Sequence, residues 1–375
     1  MRNLTKLSLV TVLALGSFST SAFGADNLKD AFSNGKFKGE LKSFYFARTF
    51  DGTQAVNDAS IYVNGGNLSY TTDSLYGLSF AATLQTSHVM NDKKVAKYKK
   101  DMDASGSRLS QSFIQYKIGN IAALKAGRQY ISSPLIKGNG ARMVKQSFEG
   151  YTLSTVFAKT KLVASYLTKF QDRTDLAGDI GQFVKAPVGN DGTMSLYLNN
   201  KSIKGLNLQA QYYDKSESAS NAKDSVQNLF LQAQYKFGGD LKPYLAAQYY
   251  DTSFEDTAAK DNDLVGVKAG LNIKGFNLFA GYTKTGKGDN VAHGLGAGSW
   301  AHFTSSLSHG GEQAFTADTK STQFGISKKF GALSTKIKHT DYDNDVKTGG
   351  IKKAGGTETA LNLKLLLTSK CLNIN

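Results

Sequence analysis

The sequence predicts an all-β fold, an antiparallel transmembrane β-barrel, and three observations carry that prediction. Apolar and polar residues alternate with a period of two in segment after segment. Tight turns and long loops succeed one another in strict alternation. After the amino-terminal leader there is no apolar run long enough for a membrane-spanning helix.

The leader comes first. Arg2 and Lys6 precede an apolar run from Leu7 to Phe18, and Ala22-Phe23-Gly24 offers small residues for cleavage, so residues 1–24 read as a signal peptide and residues 25–375 as one barrel domain. Removing Arg2 and Lys6 takes the formal net charge from +15 to +13. In an exported chain such a charge points to surface lipids or anionic solutes and away from nucleic acid. Cys371, the single cysteine, excludes an internal disulfide and a cysteine zinc cluster.

The alternation is clearest from Leu206 to Tyr213. Leu206, Leu208, Ala210 and Tyr212 share one face of a strand, and Asn207, Gln209, Gln211 and Tyr213 share the other. A helix would scatter both sets around its circumference. Extending the pattern along the chain predicts sixteen strands at 37–49, 59–72, 75–88, 109–118, 121–130, 147–157, 160–170, 193–202, 206–214, 225–237, 241–252, 264–273, 276–284, 319–330, 333–341 and 357–367.

Every second junction is a pair or triplet of turn residues: Asp73-Ser74, Gly119-Asn120, Ala158-Lys159, Lys204-Gly205, Gly238-Gly239-Asp240, Lys274-Gly275 and Gly331-Ala332. The intervening junctions are all longer, up to the stretch from Thr285 to Asp318. Outer-membrane barrels have short periplasmic turns and long external loops. A soluble periplasmic sandwich or β-helix would alternate equally well but has no reason to keep all its short turns at one end. In hydrocarbon each backbone amide must find a partner, which a closed ring of strands provides. A ring of sixteen or more strands is too wide for its own side chains to fill, so its inward polar residues meet water.

One long junction is suited to narrowing such a ring. Ile131 to Gln146 carries Lys137, Arg142 and Lys145 and no acid, and Gly138 and Gly140 permit a sharp reversal. Folded inward, these cations would favour anions or carboxylates. By parity Lys125, Gln129, Gln209, Gln211, Gln232 and Gln234 face the lumen, and Arg48 does so near the external end. Phe44 and Phe46 fall on the same inward face as Arg48, which leaves the register there open.

The run Leu124 to Tyr151 has a Gly-Arg strand end, a loop bearing Pro134, an Asn-x-x-Arg-Met element at Asn139 to Met143 and a closing Phe148-Glu149-Gly150. It resembles the constriction region of OprD-type outer-membrane porins. The resemblance implies an eighteen-stranded channel for small solutes, often carboxylate-bearing, with basic side chains lining its lumen. It further implies that Arg142 and Lys145 are constriction residues, with Arg128 at the base of the loop. Two departures accompany it. Eighteen strands would need a hairpin hidden in Val291 to Leu295 and Ser299 to Ser305, and strand parity turns Arg128 toward lipid unless it sits at the rim or a bulge re-aims it.

Other features carry less. The stretch from Asp341 starts like a calcium loop but has Val346 where glycine is needed. His293, His302 and His309 lack metal-ligand spacing and read as solvated. Lys93 to Lys100 places five lysines in a loop able to rest on lipid phosphates. No nucleophile motif or paired carboxylates point to an enzyme, and no cofactor is expected. The expected function is passive diffusion of small hydrophilic solutes and ions through the outer membrane, among lipids and lipopolysaccharide, as a monomer or homotrimer. The alternative is a surface structural barrel or adhesin that acts through its loops. Thr368 to Asn375 reads as a divergent tail beyond the last strand.

Overall fold

A computed structural model describes residues 9–15, 24–48, 59–92, 104–175, 178–216, 225–256, 258–306, 313–344, 347–348, 351–352 and 355–365. The lysine cluster at 93–100, His309 and the tail at 368–375 lie outside the described residues.

All sixteen expected strands are present. They are β1 (Lys36–Arg48), β2 (Ala59–Thr71), β3 (Leu78–Asp92), β4 (Gly106–Ile118), β5 (Ala122–Gln129), β6 (Ser147–Phe157), β7 (Thr160–Gln171) and β8 (Thr193–Asn200). The second half comprises β9 (Leu206–Lys215), β10 (Val226–Lys236), β11 (Tyr244–Phe254), β12 (Asn262–Ile273), β13 (Phe276–Thr285), β14 (Thr319–Phe330), β15 (Leu333–Asn344) and β16 (Gly356–Leu365). Each pairs antiparallel with the next along the chain, forming one continuous meander. The order is the simplest a chain can take, because every strand is laid beside the one just formed.

The two further barrel strands that the resemblance implies are not found where the sequence would hide them. Val291 to Leu295 and Ser299 to Ser305 contribute no barrel strand. The sheet gains its other two members from Phe183–Val184, paired to the end of β7, and from Leu9–Leu15. The latter lies in the expected leader and runs antiparallel to β1 from Leu9↔Tyr45 to Leu15↔Gly39. A strand edge presents unpaired amide and carbonyl groups that recruit any extended segment within reach.

Turn chemistry explains where the strands reverse. Ala158 and Lys159 have φ of 45° and 62°, and Lys274 and Gly275 have 48° and 81°, the doubly left-handed turn whose twist suits a hairpin. The first reversal falls later than the expected Asp73-Ser74. It uses Tyr76 and Gly77, at 51° and 88°, between the bridged pair Leu75 and Leu78, since a glycine there accepts the left-handed backbone readily. The short helix α1 (Leu28–Ser33), capped by Asn27 accepting from the Asp30 amide at 3.0 Å, was not legible in the sequence.

Burial is inverted relative to a water-soluble protein. Outward Leu208, Tyr212, Leu231, Leu245, Val267, Phe324 and Ile337 are exposed, while inward Gln211, Gln248, Thr283 and Gln323 are buried. The outward residues form the apolar band that a bilayer covers. Inside, the expectation of a wholly wet lumen needs correction. Two hydrophobic clusters occupy part of it, because the long loops carry apolar residues that pack against inward Phe44, Phe148, Phe230 and Tyr250.

Candidate channel constriction

Residues 131–146, between β5 and β6, fold inward. Their apolar residues divide between the two clusters: Ile131, Leu135 and Ile136 join Phe148, Tyr213 and Phe315, while Met143 and Val144 join Phe44, Ile61, Val63 and Ile180. Each such burial contributes about 1.5–3 kcal/mol. This explains the aromatic residues on the inward face of β1. Phe44 receives the loop, and the Arg142 guanidinium lies 5.2 Å above the Phe46 ring.

A second loop, unforeseen as an inward element, locks onto the first. It spans residues 286–318, between β13 and β14. Ile136 and Leu295 form a parallel bridge: the Leu295 amide donates to the Leu135 carbonyl at 2.8 Å, and the Lys137 amide donates to the Leu295 carbonyl at 3.0 Å. Gly294, at φ 88°, makes this approach possible; a Cβ there would stand 2.2 Å from the Leu135 carbonyl oxygen. His293 and His302, expected to be solvated, are instead packed against Phe315, with His293 also edge-on to Trp300 at 5.4 Å. Burial lowers the His293 pKa to about 4, with the Lys215 charge adding to the effect and a backbone hydrogen bond at Gly294 opposing it.

Of the glutamines placed inward by parity, Gln211 holds the first loop, and Gln129, Gln209 and Gln232 bond along the wall. Gln211 accepts from the Leu135 amide at 2.8 Å and donates to Ser133 and Ser195. Gln129 accepts from the Thr152 hydroxyl at 2.7 Å, and Gln209 from the Tyr197 hydroxyl at 2.8 Å. Gln232 accepts from Gln248, which also donates to the Ala301 carbonyl of the second loop. Gln234 is half-buried beside them on β10. Deleting the Gln211 side chain leaves the buried Leu135 amide unsatisfied, at about 1–3 kcal/mol. Parity assigns these residues a face, and the structure adds the loop that reaches Gln211.

The cations do not all gather at one place. Lys145 lies 4.0 Å above the Tyr130 ring, and its pKa is lowered by burial and by Lys42, with Glu40 opposing. Burial raises the Tyr130 pKa, with Ser110 lowering it and Glu40 adding to the rise. Lys42 and Glu40, neighbours on the inward face of β1, form an ion pair at 3.4 Å. Lys137 is exposed, with its backbone bound to the second loop. Lys125 sits over Phe113 at 4.6 Å on the inner wall. Arg48 ends β1 opposite Ala59.

Arg128 departs from the role that the resemblance implied. It pairs across the ladder with Glu149, donating to its carboxylate at 3.0 Å, and Lys169 holds the other carboxylate oxygen at 3.0 Å. Its guanidinium lies 4.3 Å above Phe183. The neighbouring Gln129 is turned inward and buried, so the alternating pleat sends Arg128 outward, away from Lys145.

The fold has solved counterparts. OpdO of Pseudomonas aeruginosa aligns with a TM-score of 0.74 at 18% identity, over 92% of this chain and 90% of that one. OccAB1 of Acinetobacter baumannii gives 0.74 at 17%, covering 91% and 88%. The chain has the fold of OprD-type porins. OpdK of Pseudomonas aeruginosa, crystallised with vanillate, aligns at 0.69 and 14% identity, with 88% of each chain covered. No protein-family model matches the sequence, and no curated protein does.

Within this porin fold the far wall adds cations that sequence reading did not single out. Lys268 on β12 and Lys336 on β15 approach the Phe279 ring at 4.5 and 5.1 Å, and Lys338 donates to the Ser305 carbonyl of the second loop at 2.5 Å. The signal was available in Lys336-Ile337-Lys338, where both lysines flank an outward isoleucine.

Proposed function

We propose that this chain is an outer-membrane diffusion channel for small hydrophilic solutes, with a preference for anionic or carboxylate-bearing ones. The observation that carries this reading is the inward-folded, acid-free loop 131–146, which brings Arg142 and Lys145 against the β1 wall beside Lys42. Cations at a narrow point lower the barrier for anions and raise it for bare cations. Lys125, Lys268, Lys336 and Lys338 continue the positive lining along the inner wall. Glu40 is the counterweight: paired with Lys42, it moderates the local charge without reversing it.

Similarity to OprD-type folds supports the outer membrane as the site of action, and the vanillate of OpdK supports carboxylates as the solute class. A liposome-swelling assay tests the reading. Vesicles containing the folded protein are expected to admit small monocarboxylates faster than amines of matched size. Equal rates would remove the anionic preference, and no swelling with any solute would remove the channel.

A further inference from the structure

The constriction loop meets the β3 wall at one unusual contact. The Gln85 side-chain carbonyl accepts from the Lys145 amide at 2.9 Å, and its amide nitrogen donates to the Lys145 carbonyl at 2.9 Å. A carboxamide carries the same donor and acceptor as a peptide group, so Gln85 stands in for a strand partner that the loop lacks at this point. Gln85 is itself fixed: it is 2% exposed and reaches the Ser110 hydroxyl from the same nitrogen.

The next residue is tied from three other directions. Gln146 accepts from the Asn139 and Ala297 amides at 3.1 and 2.8 Å and donates to Asp172 at 2.7 Å. Gly138 lets the loop double back here, since a Cβ would stand 2.3 Å from the Gln146 carbonyl oxygen. With Gln146 anchored, the Gln85 contact fixes the peptide that precedes it and the direction in which the Lys145 side chain leaves the backbone.

We propose that Gln85 is a positioning residue for solute selection, acting through Lys145: its carboxamide sets where the ammonium enters the lumen. The proposal rests on the reading of loop 131–146 as the constriction. It separates Gln85 from the other inward glutamines, none of which is bonded to the backbone of a charged loop residue on both its donor and acceptor sides among the described contacts. A pore that selects by charge needs its cation held at one height and angle, because a mobile ammonium averages its field over the aperture.

Gln85→Met tests this, since it keeps side-chain length and volume and removes both hydrogen bonds. Purified channels in planar bilayers under a salt gradient are compared as wild type, Gln85→Met, Lys145→Ala and the double variant. The expected result is a reversal potential in Gln85→Met shifted toward that of Lys145→Ala, together with current flicker. The double variant should select no less than Lys145→Ala alone, because Gln85 has no cation left to place. A wild-type reversal potential and steady current in Gln85→Met would overturn the proposal, as would shifts that add in the double variant. If the methionine variant fails to fold, Gln85→Glu keeps the acceptor half of the contact and is read by flicker alone, a steady trace again counting against the proposal. A silent wild type would overturn the channel reading itself, whereas a selective wild type with an unaltered Gln85→Met overturns only this inference.

Discussion

Arg128 and Glu149 face each other across β5 and β6 at 3.0 Å on the outward side of the sheet, one residue from the buried, inward Gln129. A motif match alone carries Arg128 to the pore; the pleat carries it away. Replacing it with alanine is therefore expected to leave ion selectivity unchanged. The lost pair is part-exposed, so the stability change should stay within about 1 kcal/mol. Bilayer reversal potentials and heat-modifiability on gels check the two halves of this expectation.

Lys145→Ala and Arg142→Ala should each lower the anion-to-cation permeability ratio. A unit charge near 4 Å in a medium of effective dielectric about 20 is worth about 4 kcal/mol before salt screening, enough for a severalfold change at a narrow point. Reversal potentials at low and high salt would show the effect shrinking as salt rises.

The same lysine gives the pore a dependence on alkaline pH. Burial, reinforced by Lys42 and opposed by Glu40, holds Lys145 below the ordinary lysine value of 10.5. As pH rises it loses its charge before exposed lysines do, so anion preference is expected to fall early. Lys145→Ala should flatten that part of the titration.

His293 gives a dependence on acid, from the same cause acting on a group that titrates lower. Burial, with Lys215 nearby, lowers its pKa from 6.5 to about 4 in the packed second loop. The unpacked loop binds the proton first, so packing weakens as pH falls through 6.5 and the loss is complete near 4. Limited proteolysis of loop 286–318 should accelerate over that window, and His293→Phe should suppress the change.

The lock between the loops rests on Gly294. Gly294→Ala must adopt a φ near 88° and meets the Leu135 carbonyl, a strain of roughly 1–2 kcal/mol from the backbone alone. The barrel should still fold while the loops part. Higher unitary conductance with unchanged heat-modifiability is the expected reading.

The strands were legible in the sequence because a two-sided environment writes a period of two into each of them, and the turns because Lys274-Gly275 and its counterparts need left-handed backbone. What the sequence hid lies in the loops. Nothing in the Gly-rich stretch from Val291 to Ser305 signals a structure inside the barrel, since its partners, Leu135 and Lys137, are more than 150 residues away in the chain. The histidines there looked solvated for the same reason. Gln211 could be assigned a face but not a partner, because parity says which way a side chain points and not what arrives to meet it.

The central claim is a charge-selective aqueous path through the ring. It is tested most directly by single-channel recording of the folded wild-type protein across a salt gradient. Discrete current steps that reverse at a potential of anion-selective sign are the expected result. A bilayer that stays electrically silent, or one whose steps reverse at the cation-selective sign, would contradict the account.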